Sequence, residues 1–265
     1  MFNLIHADLY RIRKMTSVKV AVLITLVSSL FIAYVLHGMT TGNFDAEFCT
    51  KTSVFVDVML VALLGGMLTG ELVSTDFESK NIHDEIASGC GRMAMIVART
   101  ISYVLVILMI TLPYALVCVI GLATGNDFEQ LFGIPSAFFA VLSNQGNLAI
   151  NAETIAKAVV VCLAIMVTYA ARLSICLPFA YGIRKVIPVT LIGFASSFLF
   201  DILGGMFTNS DQIQKFLKMF PFYYMYDLNL DASFGTIAKA YILSILFIGI
   251  MGLITYRIFR KAEIK

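Results

Sequence analysis

Residues 74–92 read STDFESKNIHDEIASGCGR and gather the groups most able to act on a substrate: His83 beside Asp84 and Glu85, with Asp76 and Glu78 just before them. A histidine among carboxylates can hold a metal or pass a proton, provided the side chains converge. Neighbouring residues point apart on a helix or strand, and a zinc site of the HExxH kind needs a second histidine four positions on. The other histidines, His6 and His37, lie in different segments, so no metal is expected here. The chain also has no GxSxG elbow and no GxxxxGK[ST] phosphate loop, and is expected to carry no catalytic residues and not to hydrolyse ATP by itself. Its five cysteines (Cys49, Cys90, Cys118, Cys162, Cys176) form no CxxC pair and read as small apolar residues.

Arg172 is the other unusual group, set in an apolar run nine positions before Tyr181, or about 14 Å of helix. An ionisable side chain at such depth either faces the protein interior or a wet cavity, or snorkels to the nearer headgroups. Asp57 and Asp201 lie near the ends of apolar runs, where water or headgroups would account for their charge.

The elements that position these groups follow from composition. Of 265 residues, 59% are apolar and 14% charged, with a mean hydropathy of +0.88; soluble domains are nearer 45–50% and 25%. Six apolar runs, about 17–37, 53–73, 95–122, 155–181, 186–206 and 237–259, are long enough to cross a bilayer as helices. Their continuity excludes the short alternation of a membrane barrel. The fold is therefore all-α and polytopic, a single transmembrane domain over 1–265. The first span follows a polar, helix-patterned segment, so it is not expected to be a cleaved signal peptide.

Thirteen Lys and Arg lie in the connections that include both termini and 74–92, against five in the other set. The positive-inside bias puts both termini and 74–92 in the cytoplasm. A net charge of +2 is too small to suggest a nucleic-acid partner.

At the start, Phe2, Ile5, Leu9 and Ile12 recur at helical spacing, which predicts an interfacial amphipathic helix over 1–15 rather than a frayed terminus whose basic residues only set topology. Ala62, Gly66 and Gly70 make a small-xxx-small ladder in the second span, able to pack a second subunit or a neighbouring span. Pro113 and Pro178 lie within spans and Pro188 opens the fifth. Residues 207–236 place Ile213, Phe216, Leu217 and Phe220 on one helical face ahead of an aromatic cluster that includes Pro221, Tyr223 and Tyr224. This segment reads as an external gate candidate or as a lipid anchor.

In 74–92, Ile82 and Ile86 share a helical face, Phe77 lies near the start, Asn81 is placed to cap, and Asp84 and Glu85 complement the helix dipole. The apolar face ringed by carboxylates suits either docking into a partner or a solvated connector. The opening NLIHADLYRIRK, the stretch GELVSTDFESKNIHDEIASGCGRMAMIVART and the basic end YRIFRKAEIK together resemble the permease subunit of a type-2 ABC exporter. The likeness is to small bacterial permeases for lantibiotic immunity, bacitracin resistance and phenol-soluble-modulin export. Its positions here are Glu71, Phe77, Ile82, Ile86, Gly91, Arg92 and Arg99, and NIHDEIA is more acidic than the family's usual segment.

That resemblance implies a second permease copy, identical or different, and cytoplasmic ABC ATPase subunits that carry the ATP and Mg, with no cofactor on this chain. It also implies a coupling helix in 74–92, docked through Phe77, Ile82, His83, Asp84, Glu85, Ile86 and Arg92, in the bacterial cytoplasmic membrane. Ala62, Gly66, Gly70 and Arg172 would then border the dimer interface or translocation path. An ion-coupled secondary transporter or channel is the competing reading, and it requires acidic groups at mid-membrane.

Overall fold

The computed structural model describes residues 2–79, 82, 86–87, 89–124, 136–143, 151–206 and 217–261. Among them there is no strand. The long helices follow the apolar runs: α1 (Phe2–Lys14), α2 (Thr16–Thr40), the short α3 (Ala46–Lys51), α4 (Asp57–Glu78), α5 (Arg92–Thr124), the short α6 (Ala140–Ser143), α7 (Ala152–Leu173), α8 (Cys176–Ile183), α9 (Val186–Met206) and α10 (Phe234–Lys261). Six stretches are long and apolar enough to cross a membrane, α7 and α8 together making one of them. The near end of the bundle is the one that carries α1 and Lys261; the far end carries α3 and α6.

Two boundaries differ from the hydropathy reading. Residues 52–55 form a 3-10 turn, and α4 begins only at Asp57 after an extended Val56. Hydropathy cannot see this, because Val54 and Phe55 are apolar whichever turn they adopt. The fourth span breaks between Leu173 and Cys176 because Pro178 has no N–H to give the Ser174 carbonyl. The Leu177 amide takes that carbonyl at 3.0 Å instead, which tightens the turn.

The fourth span is innermost: 72% of its most apolar stretch is buried, against 17% for α9 and 22% for α10. Around it α4, α5, α9 and α10 close the core, and Tyr103 of α5 donates to the Ala170 carbonyl at 2.6 Å. Tyr114, Phe138 and Tyr169 stack in sequence with centroids 6.1 and 5.9 Å apart. The outward faces of α2, α9 and α10 remain apolar and exposed, as at Leu23, Ile187 and Ile242. A bilayer supplies the apolar surroundings such faces require.

Gly66 and Gly70 let α4 and α9 approach backbone to backbone. A Cβ on Gly70 would meet the Val186 carbonyl oxygen at 3.0 Å, and one on Gly66 the Thr190 carbonyl oxygen at 3.1 Å. The small-residue ladder thus packs a span of the same chain, with Ala62 buried beside it.

Candidate functional site

Four charged side chains meet at the near end. Asp8 of α1 binds Arg99 of α5, and Ser102 donates to Asp8 at 3.1 Å. Arg99 also reaches Asp76 at the end of α4 at 2.8 Å, and Arg11 of α1 reaches the same carboxylate at 2.5 Å. Side-chain exposure is 6% for Asp8 and Arg99, 1% for Asp76 and 31% for Arg11. Two acids and two guanidinium groups balance, which is the condition under which charge is tolerated out of water. One turn away Ser17 of α2 donates to Glu71 of α4 at 2.6 Å. α1, α4 and α5 are thereby tied together at Asp76 and Arg99, which lie on either side of 79–91, and α2 is tied to α4 at Glu71.

α1 is amphipathic as its spacing predicts, but with Asp8 and Ile12 turned into the bundle and Tyr10, Arg13 and Lys14 turned out. The polar face is not uniformly solvated: Asp8 and Arg11 bind protein.

The flanks of the proposed docking segment are also turned inward. Phe77 packs edge-on against Tyr181 and Phe259 with centroids at 5.5 and 6.2 Å, and Arg184 lies over its ring at 4.8 Å. Ile82 is 3% exposed and belongs to the chain's own core, with half-buried Ile86 against it. Ile82 is thus turned into the core of this chain, where the resemblance implied a face toward a partner. Arg92 donates to the Phe259 and Arg260 carbonyls at 3.3 and 3.0 Å, capping the last turn of α10 where a cation complements the helix dipole. His83, Asp84 and Glu85 lie outside the described residues, as do Asn81, Ile213 and Phe216.

Toward the far end, Arg172 is 2% exposed. It donates to the Ser197 carbonyl and to Asp201 of α9, the latter at 2.5 Å. Snorkelling to the near headgroups is excluded, since α9 starts at the near end and Asp201 lies well along it toward the far end. The reading of Asp201 as a solvated end residue is corrected likewise: its side chain is 19% exposed and bound to Arg172. Asp57 is corrected as well. It is fully buried and accepts from Ser136 and Tyr169 at 2.6 and 2.7 Å and from the Ala137 and Phe138 amides at 3.1 and 3.3 Å. Four donors replace the water that this carboxylate loses.

The gate candidates sit in a 3-10 turn, Pro221–Tyr226, that packs on α7 and α10. Phe220 and Phe222 cluster with Phe200 of α9 and Phe247 of α10, at centroid distances from 4.2 to 6.2 Å. Phe222 and Phe247 also pack on Ala171, the neighbour of Arg172. Tyr223 and Tyr224 are half-buried, and Lys218 lies over the Tyr223 ring at 5.8 Å. Partial burial raises the Asp227 carboxyl above its usual range, with Lys218 pulling the other way. Among the described residues no group of His, Cys, Asp and Glu is placed to hold a metal.

Six apolar helices with internally neutralised charges define an all-α polytopic membrane protein. No model of a known protein family matches the chain, and no curated protein matches it.

Proposed function

We propose that the chain is the membrane-spanning subunit of an ATP-driven ABC exporter in the bacterial cytoplasmic membrane, with both termini in the cytoplasm. It pairs with a second permease copy and with cytoplasmic ATPase subunits that bind ATP and Mg, and it exports amphipathic peptides or hydrophobic toxic compounds. The observation that carries this reading is the buried joint of Asp8, Arg11, Asp76 and Arg99. A permease driven by a separate motor must pass movement from its docking segment into its spans, and a loose loop would dissipate it. Here both flanks of 79–91 are fastened to each other and to α1 by charge pairs of which only Arg11, at 31%, is appreciably exposed.

With Ile82 turned inward, the ATPase meets the rest of the segment, at half-buried Ile86 and exposed Ala87. The cargo class rests on the spans: their buried charges are paired or hydrogen-bonded, which leaves a strongly hydrophilic solute no charged path among the described residues. The aromatic turn around Phe220 and Pro221 would serve as the far-side closure, a reading supported by the packing of Phe222 on Ala171, the neighbour of Arg172. The exposed faces of α9 and α10 take lipid and the second permease.

Asp57 and the Arg172–Asp201 pair favour a second reading, an ion-coupled transporter, because both are ionisable and buried within spans. One experiment separates the two. The chain is expressed alone and with the ATPase encoded beside it, and ATP turnover and substrate efflux are measured. The exporter reading expects efflux only with the ATPase. Efflux by the chain alone, driven by an ion gradient, refutes it.

A further inference from the structure

Between α1, α2 and α5 runs a groove of about 670 Å³, within the roughly 300–1,000 Å³ of small-molecule sites. Its floor is apolar, with Ile12, Val18, Val22 and Met109, and Arg13 and Lys19 stand at its mouth. Met109 lies ten residues beyond Arg99 on α5, about 15 Å further into the bundle at 1.5 Å per residue. The groove therefore joins a cationic opening at the near end to an apolar slot at membrane depth.

The charge at the mouth is uncompensated. The nearby carboxylates are already engaged: Asp8 by Arg99, Asp76 by Arg11 and Arg99, and Glu71 by Ser17. Among the described residues neither Arg13 nor Lys19 has an ion-pair partner, and both are exposed. Tyr10, 66% exposed, stands beside them with Lys14 over its ring at 5.8 Å, a pairing suited to headgroup depth.

We infer that this groove is a binding site for one anionic phospholipid of the leaflet at the near end. Its phosphate sits between Arg13 and Lys19, and an acyl chain lies along Val18 and Val22 toward Met109. Arginine and lysine both bind phosphate, arginine through two parallel N–H donors. A free anion would use the mouth and leave the slot, and a neutral lipid would use the slot and leave the charges. Only an anionic lipid satisfies both halves. The inference requires that the chain spans a membrane and is independent of what it transports.

The test uses the full chain purified in neutral detergent and titrated with dioleoyl phosphatidylglycerol or dioleoyl phosphatidylcholine under native mass spectrometry. Phosphatidylglycerol should bind the more tightly. The Arg13→Gln/Lys19→Gln variant should lose roughly thirty-fold of that affinity, as expected from two cationic contacts near a lipid surface, with its melting temperature unchanged. Val22→Trp keeps both charges and fills the slot, and it should weaken both lipids. Arg257→Gln/Lys261→Gln removes the same charge from another part of the near end and should leave binding intact. Equal binding of the two lipids overturns the inference, as does an equal loss in the Arg257/Lys261 variant. Displacement of the lipid by millimolar inorganic phosphate also overturns it, because the site would then be one for a free anion.

Discussion

Replacing Arg99 by methionine keeps the length and apolar stem of the side chain and removes the charge that holds two carboxylates. Asp76 retains Arg11 at 2.5 Å, but Asp8 keeps only the Ser102 hydroxyl at 3.1 Å. The orphan is therefore Asp8, whose side chain is 6% exposed. Removing one partner of a buried pair costs about 3–5 kcal/mol. At roughly 2–4 °C per kcal/mol for chains somewhat shorter than this one, the melting point should fall by about 6–20 °C. Cys118, Cys162 and Cys176 are free and buried, so a thiol-reactive dye reports unfolding without any added label. The Asp8→Leu/Arg99→Met double variant removes both charges and should recover most of the loss, since apolar replacement of a whole buried pair is often neutral. If the joint transmits movement, the recovered double variant still uncouples ATP turnover from efflux. An Arg99→Met protein that melts within a degree or two of the parent refutes the argument. So does a double variant less stable than either single one.

Gly70→Val should destabilise the chain by about 1–3 kcal/mol, as overpacking does, because its Cβ already meets the Val186 backbone; Gly249→Ala, with nothing within 4 Å of its Cβ, should be neutral or slightly stabilising in the same melting assay. Arg172→Leu strands Asp201 and should lower stability by several kcal/mol, with Arg172→Leu/Asp201→Leu restoring it; an unaltered single variant contradicts the pair. Asp57→Asn offers one acceptor oxygen where four donors converge, and should expose 136–143 to limited proteolysis at protease levels that spare the parent chain. Ile86→Asp should abolish copurification with the ATPase while membrane insertion persists, and normal copurification would move the docking surface elsewhere.

The spans were legible because hydropathy over twenty residues is a strong local signal: 17–37 is realised as Thr16–Thr40 and 237–259 as Phe234–Lys261. The helix Phe2–Lys14 was legible from the spacing of its apolar residues. The pairings were not, because no local pattern links Asp8 to Arg99 or Arg172 to Asp201. Asp57 and Asp201 were therefore assigned to water or headgroups by default, and both are bound within the protein. One cue was present: an acid and a base each set in an apolar run need partners, and Asp201 is the carboxylate that Arg172 finds in the next span. The burial of Ile82 was not legible either, since a helical face of two isoleucines looks alike whether it packs on its own bundle or on another protein.

The joint at the near end also imposes an order on synthesis. Asp8 emerges 91 residues before Arg99, and at roughly 5–20 residues per second it waits about 5–18 s for its counter-ion. Through that interval α1 has no buried place for its acid and must ride at the aqueous surface while two spans are inserted. Arrival of the third span supplies Arg99 and Ser102 together, and only then can α1 take up its final position. α1 thus settles only after helices made later than itself, and a nascent chain stopped before Arg99 should leave Asp8 open to water-borne carboxyl-modifying reagents.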